Sequence, residues 1–202
     1  MASVSFCDEF GNGFGWVADE ALRRTSHALV ADDGVWLVDA VDGDGVEERV
    51  RALGEPRGVV QLLDRHERDG PELATRFGVP LHVLPERIDG APFRFVPLVR
   101  RRWWRESALW WPEPRVLVVA DALGTVLYFR APNEAIGVHP LLRLFPPRAL
   151  AAFDALHVLT GHGEGVHGEG AGAAIREALR TSRRRLLPAL GGLLVARGAR
   201  KR

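Results

Sequence analysis

Three groups of acidic residues and histidines each stand directly after a run of apolar residues that is typical of a buried strand. The groups are Asp64 with His66 and Asp69, then Asp121, then His162. Because strand ends in α/β proteins meet at one edge of a sheet, we expect these side chains to converge. Imidazoles and carboxylates gathered in this way bind zinc, manganese or iron, or transfer protons. The order predicts one metal or acid–base site assembled from three places in the chain.

Each group also has a plainer interpretation. Aspartates ahead of a helix commonly cap its first turn, which would account for Asp64 and Asp69. Asp121 suits a turn after its strand, and a histidine in a glycine-rich loop is often simply solvated. His162 has a glycine on either side, at Gly161 and Gly163, and such glycines let the backbone approach a ligand closely. These interpretations stay open at the level of the sequence.

Strand and helix patterns alternate along the whole chain. The first half predicts a hairpin of residues 28–30 and 35–38, a helix over 46–53, a strand over 59–63, a helix over 71–77 and a strand over 79–83. The second half predicts extended segments over 93–99 and 124–129, strands over 115–119 and 156–159, and helices over 148–153 and 171–184. Without a long linker, this order indicates one α/β domain over residues 1–202, ending in a basic tail from about residue 186 to 202.

Composition narrows the class of protein. Of 202 residues, 47% are hydrophobic and the formal net charge is +1, which favours a packed core over a polyanion-binding surface. Cys7 is the only cysteine, so no internal disulfide and no zinc site of several thiolates can form. A reducing cytoplasm fits this usage. The first ten residues carry acids where a signal peptide is apolar, and no apolar run has the length of a membrane span, so no membrane association is expected.

Four segments, in this order, resemble the metallo-β-lactamase superfamily. Residues 26–39 resemble its opening hairpin, which ends in an aspartate, and residues 62–69 resemble the strand and loop of its H-x-H-x-D-H motif. VVADAL at 118–123 resembles its G-D-x-L segment, and TGHG at 160–163 resembles its final histidine turn. The resemblance implies a four-layer αβ/βα sandwich with metal between the two sheets.

The motif is altered at several positions. By resemblance, Asp64 stands at the first motif histidine, His66 at the second, and Asp69 at the third, while Arg68 replaces the motif aspartate. The resemblance therefore implies a set of metal ligands made of Asp64, His66, Asp69, Asp121 and His162. Asp69 and Asp121 are also the implied catalytic carboxylates.

Arginine keeps its proton at any usable pH, so Arg68 cannot be a metal ligand. It places a fixed positive charge where a cation would sit, and this charge could pair with Asp121 or Asp69. By resemblance, Arg101 or Arg102 falls near the position of a further missing histidine. Arg68 and Arg102 together predict binding of an anionic group, since guanidinium pairs bidentately with carboxylate and phosphate.

These residues leave three functions open. The first is a hydrolase that uses a single zinc, manganese or iron ion on an ester, thioester or phosphoester. The second is a non-catalytic relative without metal, in which Arg68 replaces the ion and the cleft binds a small anionic molecule. The third and least favoured is a nucleic-acid binder that uses the arginines of residues 183–202 and the tryptophans.

Four tryptophans form two adjacent pairs, Trp103 with Trp104 and Trp110 with Trp111. At least one member of each pair should be buried in the core. An exposed member could contribute to a homo-oligomer interface.

Overall fold

The computed structural model describes residues 2–189, and a six-stranded sheet forms its first half. The strands are β1 (Val4–Phe10), β2 (Gly13–Ala18), β3 (Thr25–Ala31), β4 (Gly34–Val38), β5 (Pro56–Gln61) and β6 (Leu81–Val83), adjacent in that order. The first four pair antiparallel, whereas β4, β5 and β6 run parallel. Parallel neighbours need a crossover, and helices α1 (Val46–Leu53) and α2 (Gly70–Phe77) supply it.

A five-stranded sheet forms the second half. Its strands are β7 (Arg94–Arg101), β8 (Trp104–Trp111), β9 (Val116–Val119), β12 (His157–Thr160) and β13 (Val166–His167), in the order β13-β12-β9-β8-β7. The short strands β10 (Leu123–Gly124) and β11 (Gly137–Val138) pair with each other, and helix α3 (Ala171–Thr181) follows β13. Strands β9 and β12 are parallel neighbours, so their carboxyl ends lie side by side.

Side chains of one strand enter two different cores. In β4, Val35 and Leu37 pack with Val46 and Val50 of α1, while Trp36 faces the interior between the sheets. This follows from the two-residue period of a strand. On the far side, Ile175, Ala178 and Leu179 of α3 join the core of the second sheet. Helices thus cover the outer faces of two packed sheets, which confirms the predicted αβ/βα sandwich.

Most predicted elements are present, and one is wrong in type. The helix over 46–53 is confirmed, and the helix predicted over 71–77 begins one residue earlier, at Gly70. Residues 148–152 form the predicted helix as a 3-10 helix, because Leu150 N donates to Pro147 O, three residues back. Residues 124–129 are not extended, because the strand ends at Gly124 and the chain turns so that the Phe129 ring packs over this glycine, where a Cβ would lie 2.6 Å from it.

In each of the two tryptophan pairs at least one side chain is buried, as predicted. Trp104 and Trp111 are 0% and 5% exposed, whereas Trp103 is 55% exposed at the tip of the β7–β8 hairpin. Of the predicted basic tail, residues 190–202 lie outside the described residues. Within residues 2–189, no helix is both long and apolar enough to cross a membrane.

Candidate metal centre

Three side chains from the predicted groups meet where strands of the two sheets end. His66 follows β5, Asp121 follows β9, and His162 follows β12, the parallel neighbour of β9. The Nε2 atoms of His66 and His162 each lie 3.1 Å from the same Asp121 oxygen, Oδ1. All three residues are buried, with residue exposures between 6% and 8%. Across the described part of the chain, this is the single group of three or more such residues whose ligand atoms all lie within 4.8 Å of one another.

The other nitrogen of each imidazole, Nδ1, already has a hydrogen-bond acceptor. His66 Nδ1 lies 3.3 Å from Asp39 Oδ2, and His162 Nδ1 lies 2.8 Å from the Leu22 carbonyl oxygen. Carboxylate and carbonyl oxygens only accept, so each Nδ1 carries the proton and donates it. In the neutral tautomers, both Nε2 lone pairs then face Asp121 Oδ1. Three acceptors converge with no donor between them, which is the arrangement that a cation satisfies.

The orphaned carboxylate oxygen supports a metal at this point. Asp121 Oδ1 is buried and has no properly aligned hydrogen-bond partner. Donor atoms that share one tetrahedral zinc ion at 2.0–2.2 Å are separated by about 3.3–3.6 Å, and each imidazole Nε2 lies 3.1 Å from Asp121 Oδ1. Two imidazoles and one carboxylate also suit zinc, manganese or iron chemically. The residues therefore fit one divalent ion, with His66, Asp121 and His162 as its ligands.

Electrostatics at the centre favour an ionised carboxylate. Burial alone would raise the pKa of Asp121, but the adjacent imidazoles of His162 and His66 hold it well below its ordinary value. Burial and the charge of Arg68 would lower the pKa of His66, but the Asp121 and Asp39 carboxylates beside it raise it above its ordinary value. The ionised form of the Asp121 carboxylate is thus favoured at this centre.

A buried glutamate fixes the backbone of Asp121. Glu106 Oε1 accepts hydrogen bonds from the amides of Asp121 and Ala122, at 3.0 and 2.8 Å, and its Oε2 accepts from Trp104 Nε1 at 2.8 Å. Burial, together with the nearby Asp121 charge, raises the pKa of Glu106 to about 7. This side chain from β8 therefore determines where the Asp121 carboxylate can point.

Arg68 binds main-chain carbonyls and not carboxylates. Its Nη1 donates to Thr25 O at 2.7 Å and to Asp39 O at 2.6 Å, and its Nη2 donates to Gly161 O at 3.0 Å. Among the described residues, no carboxylate lies within ion-pair distance of this guanidinium, so the predicted pairing of Arg68 with Asp121 or Asp69 is wrong. Main-chain carbonyl oxygens next to three strands lie closer to the Arg68 guanidinium than the carboxylates of Asp69 and Asp121 do, and they bind it instead.

Arg65, which sequence reasoning did not single out, is the arginine nearest the carboxylate. Its Nη2 lies 3.6 Å from Asp121 Oδ2, its Nη1 donates to Trp103 O at 3.0 Å, and its guanidinium stacks 4.4 Å from the Trp104 ring centroid. This exposed side chain connects the metal centre to the tip of the β7–β8 hairpin.

The structure does not bring Asp64, Asp69 or Arg102 into this group. Asp64 Oδ2 accepts from Arg105 N at 3.1 Å, which ties the chain after β5 to β8. Asp69 Oδ2 accepts from Asp42 N at 2.8 Å, on the side of the loop before α1. Arg102 occupies the exposed turn between β7 and β8. The carboxylates two and three residues from His66 point elsewhere because the loop is tightly turned and Arg68 adopts a positive φ of 47°.

Two further contributors to the centre were missed from the sequence. Asp39 at the end of β4 orients His66 and accepts from Leu62 N at 2.9 Å through its other oxygen. Asp39 could have been found from the sequence, because the opening hairpin of the resembled family also ends in an aspartate. Glu106 had no comparable sign, since its partners are main-chain amides at positions 121 and 122.

An open pocket of about 730 Å³ adjoins the metal centre on the His162 side. Its wall includes Gly163, directly after His162, and Tyr128, whose ring centroid lies 5.8 Å from that of His162. Arg23 and Arg130 bring positive charge to the lining, Glu164 brings a negative charge 3.6 Å from Arg23, and most of the remaining wall is apolar. His66, Asp121 and His162 are not themselves among its lining residues.

Solved structures to which this chain is similar include several metallo-β-lactamases and a flavoprotein fragment. A fragment of a diflavin flavoprotein from Nostoc sp. PCC 7120 has a TM-score of 0.59 at 13% identity, covering 92% of this chain and 99% of that one. Metallo-β-lactamases from Pontibacter korlensis and Hirschia baltica both have TM-scores of 0.57, at 11% and 13% identity. They cover 88% and 90% of this chain, and 99% and 97% of their own. No family model and no curated protein sequence matches. The chain therefore has the metallo-β-lactamase fold.

Proposed function

We propose that this metallo-β-lactamase-fold protein is a hydrolase that uses one divalent metal ion to cleave an ester, thioester or phosphoester. The ligands would be His66, Asp121 and His162, and the ion would be zinc, manganese or iron. The observation that carries the proposal is the convergence of two imidazole lone pairs on a buried carboxylate oxygen that has no hydrogen-bond donor.

A metal bound there would act as a Lewis acid on the carbonyl or phosphoryl oxygen of a substrate and would lower the pKa of water. The surrounding chain holds the ligands ready for this ion. Asp39 and the Leu22 carbonyl fix the tautomers of His66 and His162, and the Glu106 carboxylate fixes the main chain at Asp121. Such outer contacts orient ligands and commonly change metal affinity by about 10–100-fold when removed.

Arg68 supports one ion and not two. Its guanidinium carries a permanent positive charge and is already bound to three carbonyl oxygens beside the centre. A second cation at this place would meet that charge, while Asp69, which the resemblance implied as a ligand, faces the main chain of Asp42. The proposed stoichiometry is therefore one ion per chain.

Metal content, measured by elemental mass spectrometry on purified protein, tests the proposal directly. We expect about one equivalent of zinc, manganese or iron per chain. His66→Gln and His162→Gln should each lose most of it, since the remaining two ligands bind an ion weakly. His82→Gln is the matched control, because this half-buried histidine stacks near Trp36 and belongs to no group of ligands.

Activity is measured on 4-nitrophenyl esters, thioesters and phosphodiesters with the same variants. A chelator should abolish hydrolysis, and His82→Gln should retain it. Metal content far below one equivalent in the wild-type protein, even after incubation with each ion, would contradict the proposal. That result would favour the metal-free, anion-binding alternative, for which small anions should stabilise the protein against thermal unfolding.

A further inference from the structure

The tip of the β7–β8 hairpin carries an unusual concentration of arginines. An open groove of about 660 Å³ lies along this hairpin, separate from the pocket beside His162. Four arginines line it, namely Arg100, Arg101, Arg102 and Arg105. All four are exposed, and the exposed acid in the lining is Glu86. The other lining acid, Glu106, is buried and its oxygens accept hydrogen bonds from main-chain amides and from Trp104.

Two of these arginines are placed against each other. In the register of β7 and β8, Arg100 is paired directly with Arg105. Directly opposed residues of an antiparallel pair project from the same face, about 4.5–5.5 Å apart at Cβ, and like charges there destabilise the sheet. Within residues 2–189, the carboxylate that approaches this pair is Asp64, 3.7 Å from Arg105 Nε. For Arg100 and Arg102, no carboxylate of the described chain lies within 4.0 Å.

Apart from Ser107, the rest of the groove is apolar. Leu84, Pro85, Phe95, Pro97 and Val99 form its other walls. An anion of high charge density would relieve the repulsion between the guanidiniums. An organic group attached to that anion would cover the apolar walls. Phosphate fits this pattern best, because it offers several oxygens and more than one negative charge to guanidinium forks.

We propose that the groove is a binding site for the phosphate groups of an organic phosphate, held by Arg100 and Arg105 as a cross-strand pair with Arg101 and Arg102 beside them. The ligand is a free phosphorylated small molecule or the backbone of a single nucleic-acid strand, which share this chemistry. The proposal goes beyond hydrolysis and does not depend on metal at His66, Asp121 and His162.

Thermal unfolding of the metal-free protein tests the site with three probes at equal ionic strength. These are inorganic pyrophosphate, a single-stranded oligonucleotide and sodium chloride. Either phosphate probe should raise the melting temperature more than sodium chloride does. A shift with pyrophosphate assigns the small-molecule source, and a shift with the oligonucleotide alone assigns the strand.

The decisive variant is Arg100→Ala/Arg105→Ala. Because it removes the opposed charges, it should melt at a higher temperature than the wild type without ligand, yet bind pyrophosphate or the oligonucleotide at least about tenfold more weakly. The control is Arg148→Ala/Arg184→Ala, which removes the same charge from exposed positions elsewhere. No phosphate-specific shift in the wild type, or an equal loss in the control, would overturn the proposal. Neither result bears on metal content, so the two proposals fail separately.

Discussion

At the scale of single residues, the carboxylate of Asp8 is a source of pH dependence outside the metal centre. Its side chain is 3% exposed, and its Oδ1 accepts from Gly165 N at 2.8 Å and lies 2.9 Å from His167 Nε2. Burial would raise the pKa of Asp8, but the hydrogen bonds from His167 and Gly165 and the charge of His27 lower it overall. The ionised carboxylate is thus favoured by folding.

The sign of the resulting pH dependence is fixed by this lowered pKa. A carboxyl group whose pKa is lower in the folded state stabilises the protein above its unfolded value, which is about 3.9. The contribution disappears as the pH falls through the folded pKa. We expect Asp8→Asn to have a lower free energy of unfolding than the wild type near neutral pH, and the difference to shrink below about pH 4.

Urea unfolding at a series of pH values measures this difference. Asp89→Asn is the control, because the Asp89 side chain is 83% exposed and its removal should change stability little at any pH. A deficit in Asp8→Asn that stays constant down to about pH 3 would show that ionisation of Asp8 does not stabilise the fold.

Residue chemistry explains which parts of the centre were predictable. His66, Asp121 and His162 could be named from the sequence because each follows a buried strand whose end converges with the others. Asp64 and Asp69 also follow such a strand, but their oxygens accept from main-chain amides of Arg105 and Asp42. Spacing alone does not distinguish a ligand from a carboxylate that caps a distant amide.

At the scale of elements, Arg68 joins three strands that are distant in sequence. The carbonyls that it binds belong to Thr25 at the start of β3, Asp39 after β4, and Gly161 after β12. The first two lie on one sheet and the third on the other. A single guanidinium therefore fixes the position of one sheet edge relative to the other beside the metal centre.

Arg68→Lys should break this arrangement while keeping the charge. An ammonium group on a flexible stem cannot reproduce the planar fork, so two of the three contacts should be lost, at about 2–4 kcal/mol in the free energy of unfolding. Chemical denaturation measures the change. Arg51→Lys, in an exposed i,i+4 pair with Glu47, should cost less than about 1 kcal/mol. Equal effects of the two substitutions would contradict this role of Arg68.

Elements with strong local patterns were predicted well, and those fixed by distant contacts were not. The Asp32-Asp33-Gly34 turn and the apolar spacing of Val46 and Val50 gave the β3–β4 hairpin and α1 correctly. The segment after Gly124 has an extended-looking pattern, but the packing of Phe129 over that glycine folds it into a turn. The hairpin of β1 and β2 was not predicted at all, since its glycines and acids obscure the alternation.

At the scale of the whole molecule, the two cores are connected through shared strands. Leu37 lies in the core between the first sheet and its helices, while Leu117 lies in the core that includes the interior between the sheets. Because β4 contributes alternate side chains to both, neither core can be lost without disturbing the other. The chain should therefore unfold as one unit.

Leu37→Ala and Leu117→Ala test this coupling. Both side chains are 0% exposed, so each substitution should cost about 2–5 kcal/mol. Calorimetry should show one transition in each variant, shifted to lower temperature. Leu53→Ala, at a side chain that is 43% exposed, should shift it much less. Two separate transitions in either core variant would mean that the sheets form independent folding units.

The three residues of the candidate metal centre come from both sheets, His66 from the first and the other two from the second. An ion bound there would cross-link the two sheets. The stabilisation that it adds would depend on the concentration of free metal as well as on the chain. Its contribution would grow with the logarithm of free metal concentration relative to the dissociation constant. The lifetime of the folded protein would then follow the metal status of its surroundings, with scarcity favouring separation of the two halves and their removal by proteolysis.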